Sequence, residues 1–248
     1  MKLGLLEKTF RIIDLLKDHP HGLRLFEISN TLDLPNSSIH HILSTLRSFN
    51  YIDQDKDTKR YVLGFKFLTI SSKILDNLDI RRTAYAHLRN LHNIINETVN
   101  LTVLKNGWVT FIDKIQKVGG LALDTYIGFS TLPHAAASGK VLMAYRGLNE
   151  IRDIYQNQPL KAYSKNTITS ISRLLEELEN IRKQGYAIDN EEYYEGVRCV
   201  AVPVKSQGNV IAAVSVTGSI FTMQIERIND EILQLLIETA QKISSEMP

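Results

Sequence analysis

The sequence predicts an α+β protein of two domains, the first mostly helical and the second built on a mainly antiparallel sheet flanked by helices. Two short helices separated by a proline, over residues 25–49, predict a helix-turn-helix, and two short β-prone runs after it predict a wing. Beyond residue 79, strand and helix patterns are mixed without repeating as β-α-β units, which favours α+β. We expect a winged helix-turn-helix at 1–64, a linker helix at 65–78 and the second domain at 79–248.

Residues 5–18 and the stretch after Arg24 predict the first two helices. The first helix has an apolar stripe at helical spacing, made of Leu6, Phe10, Ile13 and Leu16. We expect this stripe to cover the two helices that follow. The second helix stops at Asp33-Leu34-Pro35, because proline disfavours helical geometry in the residue before it.

The third helix, which starts just after Pro35, is predicted to have one apolar and one polar side. Asn36, Ser37 and Ser38 suit the capping of its free N–H groups. Its apolar side consists of Ile39, Ile42, Leu43 and Leu46, and its far side of Ser37, His41, Ser44 and Ser48, with His40 and Thr45 flanking. This slim side, nearly free of acids, is typical of a helix that enters a DNA major groove. A small solvated helix in an ordinary hairpin fits the same pattern.

The segment after this helix favours the first interpretation. Two short β-prone runs at 51–53 and 60–63, around a polar turn, predict a wing whose cations can reach phosphates. Asn50 stands where the chain must turn back, a position that favours left-handed backbone. The predicted DNA contacts are Asn36, Ser37, Ser38, His40, His41, Ser44, Thr45 and Arg47 in the helix, and Lys56, Lys59 and Arg60 in the wing.

Length and composition limit the number of domains, the compartment and the kinds of partner. The 248 residues allow one or two domains, and no run approaches the ~18 apolar residues of a membrane span. A signal-peptide pattern is missing, and the single cysteine excludes an internal disulfide and fits a reducing cytoplasm. Residues 1–62 carry nine Lys and Arg against eight Asp and Glu, a balance of +1 that counts against DNA binding. Affinity for DNA would therefore need favourable charge placement and two copies of the module in a dimer.

The second domain is predicted to start with a helix and then change to strands. Asp79 can cap a helix whose apolar stripe consists of Ile80, Ala84, Leu88, Leu91 and Ile95. Asn106-Gly107 is a strong signal for a two-residue turn between paired strands. The remaining patterns predict a strand at 121–127, a helix at 134–146, a helix closed by Gly185 and a last helix at 225–243.

The last predicted hairpin, 197–204 with 209–218, has one bulky side and one side of smaller residues. The bulky side consists of Val200, Val202 and Val204 with Val210, Ala212, Val214 and Val216, and the other of Cys199, Ala201 and Pro203 with Ile211, Ala213, Ser215 and Thr217. If the small sides coincide, Cys199, Ser215 and Thr217 line a mostly apolar pocket with a few polar groups. A helix packed tightly on the small residues is the alternative.

A helix that opens at His134 can cover this hollow. Its short first side chains leave N–H groups open to an anion, and the helix dipole favours a carboxylate there. Asp189, before an acidic run, can accept a hydrogen bond from a ligand hydroxyl, although a solvated loop fits that run equally. Cys199 and His134 can be imagined as nucleophile and base, or with Asp189 as metal ligands. However, no metal-ligand spacing, P-loop or dinucleotide motif is present, so we expect no cofactor and no metal.

Over nearly its whole length the chain resembles the IclR-type bacterial transcriptional regulators. The resemblance rests on GLRLFEISNTLDLPNSSIHHILSTLRSFNYI, LPHAAASGKVLMA, GYAIDNEEYYEGVRCVAVPV and VIAAVSVTG, in this order. It implies a winged helix that binds operator DNA and a GAF-like domain that binds a small effector, commonly a carboxylic acid. It also implies dimers formed through the N-terminal region, often tetramers, that act as repressors or activators.

The resemblance also implies particular site residues. The effector carboxylate would meet the backbone N–H groups of Ala137 and Ser138, the former at a position that varies in the family. The remaining matches are Leu123 as a wall and Asp189, Cys199, Ser215 and Thr217 as polar positions. Strand alternation already places three of these residues, Cys199, Ser215 and Thr217, on the small-residue side of the last hairpin. The chain departs from the family pattern with His41 in place of an arginine, and with Asp33 and Asn50 in place of glycines, where both tolerate left-handed geometry.

We therefore expect a non-enzymatic, effector-gated regulator that binds double-stranded operator DNA as a homodimer or homotetramer. Its effector would be a small organic acid, and no membrane would be involved. One alternative is a small-molecule enzyme or metal-dependent hydrolase with an accessory helix-turn-helix. Another is a ligand-independent DNA binder whose second domain only oligomerises.

Overall fold

The structure, a computed structural model, describes residues 4–121, 123–156 and 159–247. The chain divides into two compact units between Asn77 and Leu78. Within the described residues, no helix combines the length and the apolar content needed to cross a bilayer. The division of the chain into 1–64, a linker at 65–78 and 79–248 stays a prediction.

The first unit has the predicted order of three helices followed by a wing. Its elements are α1 (Leu5–Lys17), α2 (Leu25–Leu32), α3 (Asn36–Ser48), β1 (Ile52–Gln54), β2 (Tyr61–Leu63) and α4 (Lys66–Asp76). The two strands pair antiparallel, with Ile52 opposite Leu63. The unit has its own apolar core, to which the helices and the wing contribute Ile12, Leu16, Ile28, Ile39, Leu43 and Ile52.

The predicted apolar stripe of α1 is wrong in its N-terminal half. Leu6 and Phe10 are 73% and 62% exposed, whereas Ile12 and Leu16 are buried. Helix α1 carries two adjacent apolar rows, and periodicity does not distinguish between them. Ile12 and Leu16 lie in the core of the unit, and Ile13 and Leu15 pack against it while partly buried.

The two turns of this unit depend on left-handed residues. Asp33 ends α2 at φ 52°, and Asn50 follows α3 at φ 62°, as expected for residues that tolerate this region. The predicted side-chain cap of α3 is wrong, because Asn36 is already the first helical residue. The carbonyl of Pro35 instead accepts the backbone N–H groups of Ser38 and Ile39.

The second unit is built on one six-stranded antiparallel sheet. The strands are β3 (Thr98–Lys105), β4 (Trp108–Ile115), β5 (Ser130–Thr131), β6 (Ala187–Asn190), β7 (Val197–Ser206) and β8 (Asn209–Ser219), in the spatial order β5-β4-β3-β8-β7-β6. The helices are α5 (Asp79–Ile95), α6 (Ala137–Ala144), α7 (Leu148–Gln156), α8 (Ile171–Gln184), α9 (Ile225–Arg227) and α10 (Leu233–Glu246), with a π-helical turn at Ile228–Ile232.

Apolar clusters cover both faces of this sheet. On one face, Val200 and Val214 pack with residues of α5 and α10. On the other face, Ala201 and Ala213 pack with residues of α6 and α8. Asn106 and Gly107, at φ 53° and 80°, form the turn between β3 and β4 that the sequence predicts.

The register of the last hairpin brings its small residues together. Cys199 lies opposite Thr217 and Ala201 opposite Ser215, so the two small sides coincide. Val210 and Ile211 are the exceptions to the predicted sides, because Ile211 packs against the cluster on the α5 and α10 face. An irregularity between Val204 and Lys205 shifts the pairing, and Val210 packs with the cluster on the α6 face.

Several predicted elements are wrong in position. Residues 121 and 123–127 form no strand, and the edge strand is Ser130–Thr131. Helix α6 begins at Ala137 rather than at residue 134, because Pro133–Ala135 form a separate 3₁₀ turn. Asp79 is the first residue of α5 rather than its cap. Helix α7 and strand β6 have no counterpart among the predicted elements.

Candidate functional site

Helix α3 presents a polar surface to solvent. Seven of the eight residues predicted as DNA contacts in α3 are exposed, and Ser38 is half-buried. The inward residues Ile39 and Leu43 are completely buried and fix the rotation of the helix. An exposed row of short polar side chains and imidazoles can reach base edges in a groove.

Side-chain contacts connect the wing to α2 and to α3. From α3, Arg47 donates to the side-chain oxygen of Gln54 at 2.8 Å. Arg60 lies within 3.1 Å of the Glu27 carboxylate on α2 and also donates to the carbonyl of Gly22. Arg60 therefore holds the wing against α2, whereas Lys56 and Lys59 are exposed.

The second unit contains a pocket on the small-residue side of its last hairpin. Its lining combines apolar side chains with a few polar groups, which is the usual composition of small-molecule sites. All seven residues predicted to contact an effector line it: Leu123, Ala137, Ser138, Asp189, Cys199, Ser215 and Thr217. The predicted alternative, a helix packed on small residues, is also present, because α6 covers Ala201 and Ala213 beside the pocket.

The N terminus of α6 opens into this pocket. Ala136, Ala137 and Ser138 line the pocket, and no side chain caps the helix. The N–H groups of the first turn have no acceptor within a helix, and the helix dipole adds positive potential. Gly139 allows the close approach that positions this end, because a Cβ there would collide with the backbone of Pro133.

Strand side chains form a directed hydrogen-bond chain along the pocket floor. Asn100 Nδ2 donates to Ser215 Oγ at 3.4 Å and to Thr217 Oγ1 at 3.2 Å. Thr217 Oγ1 in turn donates to Cys199 Sγ at 3.1 Å. This chain fixes the orientation of the Asn100 amide and uses both of its N–H groups.

Two carboxyl groups near the pocket are held away from water. Asp189 is 6% exposed, and burial together with the nearby Glu192 charge raises its pKa to about 7. Burial also raises the pKa of Glu192. The Lys140 ammonium, 1% exposed, donates to Glu192 at 2.5 Å, to Glu177 at 3.3 Å and to the carbonyl of Ile188 at 2.8 Å. Its three N–H groups are thus used, and Asp189 accepts only backbone donors such as Glu192 N–H.

Comparison with known protein families identifies the chain. The family described as IclR helix-turn-helix domain matches residues 5–56, and the family described as bacterial transcriptional regulator IclR C-terminal matches residues 72–245. The chain belongs to the IclR family. It is therefore a DNA-binding transcriptional regulator of the helix-turn-helix type.

Named relatives and solved structures agree with this family. The HTH-type transcriptional regulator KdgR of Escherichia coli is 32% identical over 97% of this chain and 91% of its own length. The crystal structure of Thermotoga maritima IclR is 32% identical, covers 98% of each chain and has a TM-score of 0.80. An IclR homologue from Microbacterium hydrocarbonoxydans, complexed with 4-hydroxybenzoate, shares the fold at a TM-score of 0.83, with 21% identity over 98% of each chain.

The enzymatic alternatives gain no support in this IclR-family regulator. Burial and the nearby Asp189 charge raise the pKa of Cys199 to about 12, so its thiol is protonated at neutral pH. His134 Nε2 donates to the Lys161 carbonyl at 2.9 Å, and burial lowers the pKa of His134. Among the described residues, no group of three or more His, Cys, Asp or Glu side chains is arranged to hold a metal ion.

Sequence reasoning missed part of the pocket lining of this IclR-family chain. The missed residues include Asn100, Phe111, Phe129, Thr131, Tyr193 and Tyr194. Asn100 lies between the buried core residues Val99 and Leu101, so strand alternation contained the signal that it faces the opposite side. Thr131 had no such signal, because its two-residue strand is too short to show a pattern.

Proposed function

We propose that this IclR-family regulator binds operator DNA through α3 and the wing, and that a small organic acid in the pocket of the second unit controls this binding. The observation that carries the proposal is the pocket itself, into which the uncapped N terminus of α6 opens. A carboxylate is the ligand group that free N–H donors and a helix dipole favour. The Microbacterium neighbour, which resembles this chain in fold, holds a carboxylic acid.

The proposed DNA contacts are the exposed residues of α3 together with Lys56 and Lys59. His41 lies in the middle of the exposed row, and Arg47 lies beside the wing. Side chains at these positions can contact base edges and phosphates, respectively. Arg60 supports this surface from within through Glu27.

DNA binding is tested with a duplex selected from a random library by the wild-type protein. His41→Ala and Arg47→Ala are expected to weaken binding of that duplex at least tenfold in fluorescence anisotropy, with acid binding unchanged. Lys17→Ala, on the exposed end of α1, is the control for loss of one positive charge in the same unit. Unchanged affinity in both α3 variants would rule out the proposed recognition surface.

Acid binding is tested by thermal shift with sugar acids, aromatic acids and short keto acids. A ligand that binds only the folded state raises the midpoint of unfolding. We expect at least one class to stabilise the second unit. If no acid does so, the result contradicts effector control and favours the alternative in which the second domain only oligomerises.

We also propose that the chain works as a homodimer or homotetramer in the cytoplasm, where operator DNA lies. Large apolar side chains are exposed on α1 and at the start of α4, namely Leu6, Phe10, Phe65 and Leu68. Exposed apolar groups of this size mark interaction surfaces, and a second copy would double the small positive charge of the DNA-binding unit. Light scattering after size-exclusion chromatography tests this, since a monomeric mass would contradict it.

A further inference from the structure

The pocket of the second unit is lined by a carboxylic acid and by no basic side chain, although its proposed ligand is an anion. Among the described residues that line it, none is a lysine, an arginine or a histidine, whereas Asp189 is one of them. The N terminus of α6 supplies positive potential, but a helix end carries only about half an elementary charge. An anion in this pocket therefore meets a buried carboxyl group and only part of a compensating charge.

The buried ammonium group of Lys140 does not supply the missing charge. Its three N–H groups are used by Glu192, Glu177 and the carbonyl of Ile188, and the residue is almost completely buried outside the pocket lining. With both carboxylates ionised, this group of side chains is negative before Asp189 is counted. Lys140 lowers the pKa of Asp189 by less than burial and the Glu192 charge raise it.

The other titratable groups near Asp189 add no positive charge to the pocket. Strand β6, which contains Asp189, is packed against β7 and α6, and Lys140 is the only charged residue of α6. On β7, Cys199 lies opposite Asp189, and burial raises the pKa of its thiol to about 12, which leaves it neutral. Arg198 donates to the side chain of Asn190 and to a carbonyl oxygen. Burial also raises the pKa of Tyr194, so its phenol is neutral.

A second negative charge beside Asp189 favours protonation of its carboxyl group. A buried charge without a counter-charge is costly, and a carboxyl group avoids this cost when it binds a proton. Near neutral pH both states of Asp189 are populated, because burial and the Glu192 charge raise its pKa to about 7. A bound anion raises that pKa further, so the anion and the proton each strengthen the binding of the other.

We infer that the pocket binds the anion of its organic acid together with one proton, which Asp189 holds. The anion and the proton together add no net charge to surroundings that are already negative. This inference rests on the proposed function, since it describes how pH would regulate the same pocket. Affinity should fall as the pH rises above about 7, because the free site has then lost the proton that it must take up again.

The test is isothermal titration calorimetry on the full chain with gluconate, 4-hydroxybenzoate and pyruvate, at pH 6 and at pH 8. The carboxyl groups of these acids are ionised at both pH values, so a change in affinity reports on the protein. An acid that binds is expected to bind at least about fivefold more weakly at pH 8 than at pH 6. Titration in phosphate and in Tris, which differ in ionisation enthalpy, counts the protons, and we expect an uptake of about 0.5–1 per bound acid at pH 8.

Asp189→Asn identifies the group that holds the proton. This variant keeps the size of the side chain and removes its titration. Its affinity for the acid should be nearly equal at the two pH values and should exceed that of the wild type at pH 8, without proton uptake. A residue with a merely structural role would give a loss at both pH values instead. Asp230→Asn, at an exposed carboxyl group, is the control and should keep the pH dependence of the wild type.

The outcomes separate this inference from the proposed function. Equal affinity at both pH values without proton uptake, for an acid that binds, would overturn proton coupling and leave effector control standing. Proton uptake that persists in Asp189→Asn would overturn the assignment to Asp189. If this variant does not fold, infrared difference spectra of the wild type decide, since acid binding at pH 8 must add a protonated carboxyl group. Failure of all three acids to bind at either pH would overturn the proposed function itself.

Discussion

Asp189 is held almost completely away from water beside the pocket, with no cation of its own. Desolvation is the main cause that raises its pKa to about 7, and the Glu192 charge adds to it. A carboxyl group in this state is partly protonated at neutral pH, so it can donate to or accept from a ligand hydroxyl. Strand pairing places it opposite Cys199, which explains why both belong to one pocket.

The raised pKa of Asp189 predicts a pH-dependent stability. The unfolded chain loses this proton near pH 4 and the folded chain near pH 7, so the group's contribution to the free energy of unfolding falls between these values. Asp189→Asn removes this contribution. The free-energy difference between wild type and variant should therefore fall by at least about 1 kcal/mol from pH 4 to pH 8.

Denaturant unfolding across this pH range measures the effect. The exposed Asp230→Asn is the control, and its difference from wild type should stay nearly constant. Parallel pH profiles for wild type and Asp189→Asn would show that the carboxyl titrates normally.

The unpartnered hydroxyl of Thr131 predicts that its removal stabilises the ligand-free protein. Without ligand, Thr131→Val removes a buried polar atom that has no partner, and the variant should be more stable by about 1 kcal/mol. Thermal unfolding of the ligand-free proteins checks this. A clear loss of stability would show that the hydroxyl already has a partner, such as a bound water.

At the residue scale, strand alternation predicted some pocket residues and missed others for identifiable reasons. Cys199, Ser215 and Thr217 belong to long strands whose period is clear, and the observed register brings them together. Asn100 also lies in a long strand. However, its amide donates to Thr217 on a neighbouring strand, and no local sequence pattern predicts that contact. The positions of Phe111 and Tyr193 depend on loops and pairing that no local pattern encodes.

At the element scale, α6 shows how tight packing positions the end of the pocket at which we propose that an anion binds. All residues of the helix are buried, and the turn Pro133–Ala135 approaches its first turn closely. The sequence indicated this helix through its small side chains. It did not indicate the break at Ala136, because the 3₁₀ turn and the helix share one alanine-rich pattern.

Gly139 is the residue at which this packing is tested. Gly139→Ala would place a methyl group against the Pro133 backbone, which cannot move like a side chain. We expect a destabilisation of about 1–3 kcal/mol and a weaker affinity for acids. Gly147→Ala, where nothing lies near the added Cβ, is the matched control and should leave acid affinity intact. Normal stability of Gly139→Ala would mean that the close approach is not required.

Local sequence patterns predicted the wing and α1, but they did not predict which of their residues make contacts within the unit. Local patterns predicted the wing because its strands flank a polar turn, and Asn50 adopts the expected left-handed backbone. They did not reveal that Arg60 binds Glu27, since the partner lies 33 residues away in the chain. For α1, two apolar rows competed, and the exposed one is now available for the proposed self-association.

At the scale of the whole molecule, a DNA-binding unit and a unit with a pocket proposed to bind an organic acid share one chain. The order of elements in the first unit was predictable, because turns and periodicity act locally, whereas α7 and β6 of the second unit were missed. The choice of effector was not predictable, because the pocket lining comes from segments far apart in the chain. Because the first unit has only a weak positive charge, we expect two copies in a dimer to bind DNA more tightly than one.

The central claim is that acid in the pocket and DNA on α3 are thermodynamically coupled. It is tested most directly by titrating the selected duplex with the protein, with and without a saturating concentration of an acid that the thermal-shift screen identifies. We predict that the acid changes DNA affinity by a factor of about 5–150, and that DNA changes acid affinity by the same factor. Equal DNA affinity with and without an acid that demonstrably binds would contradict the claim.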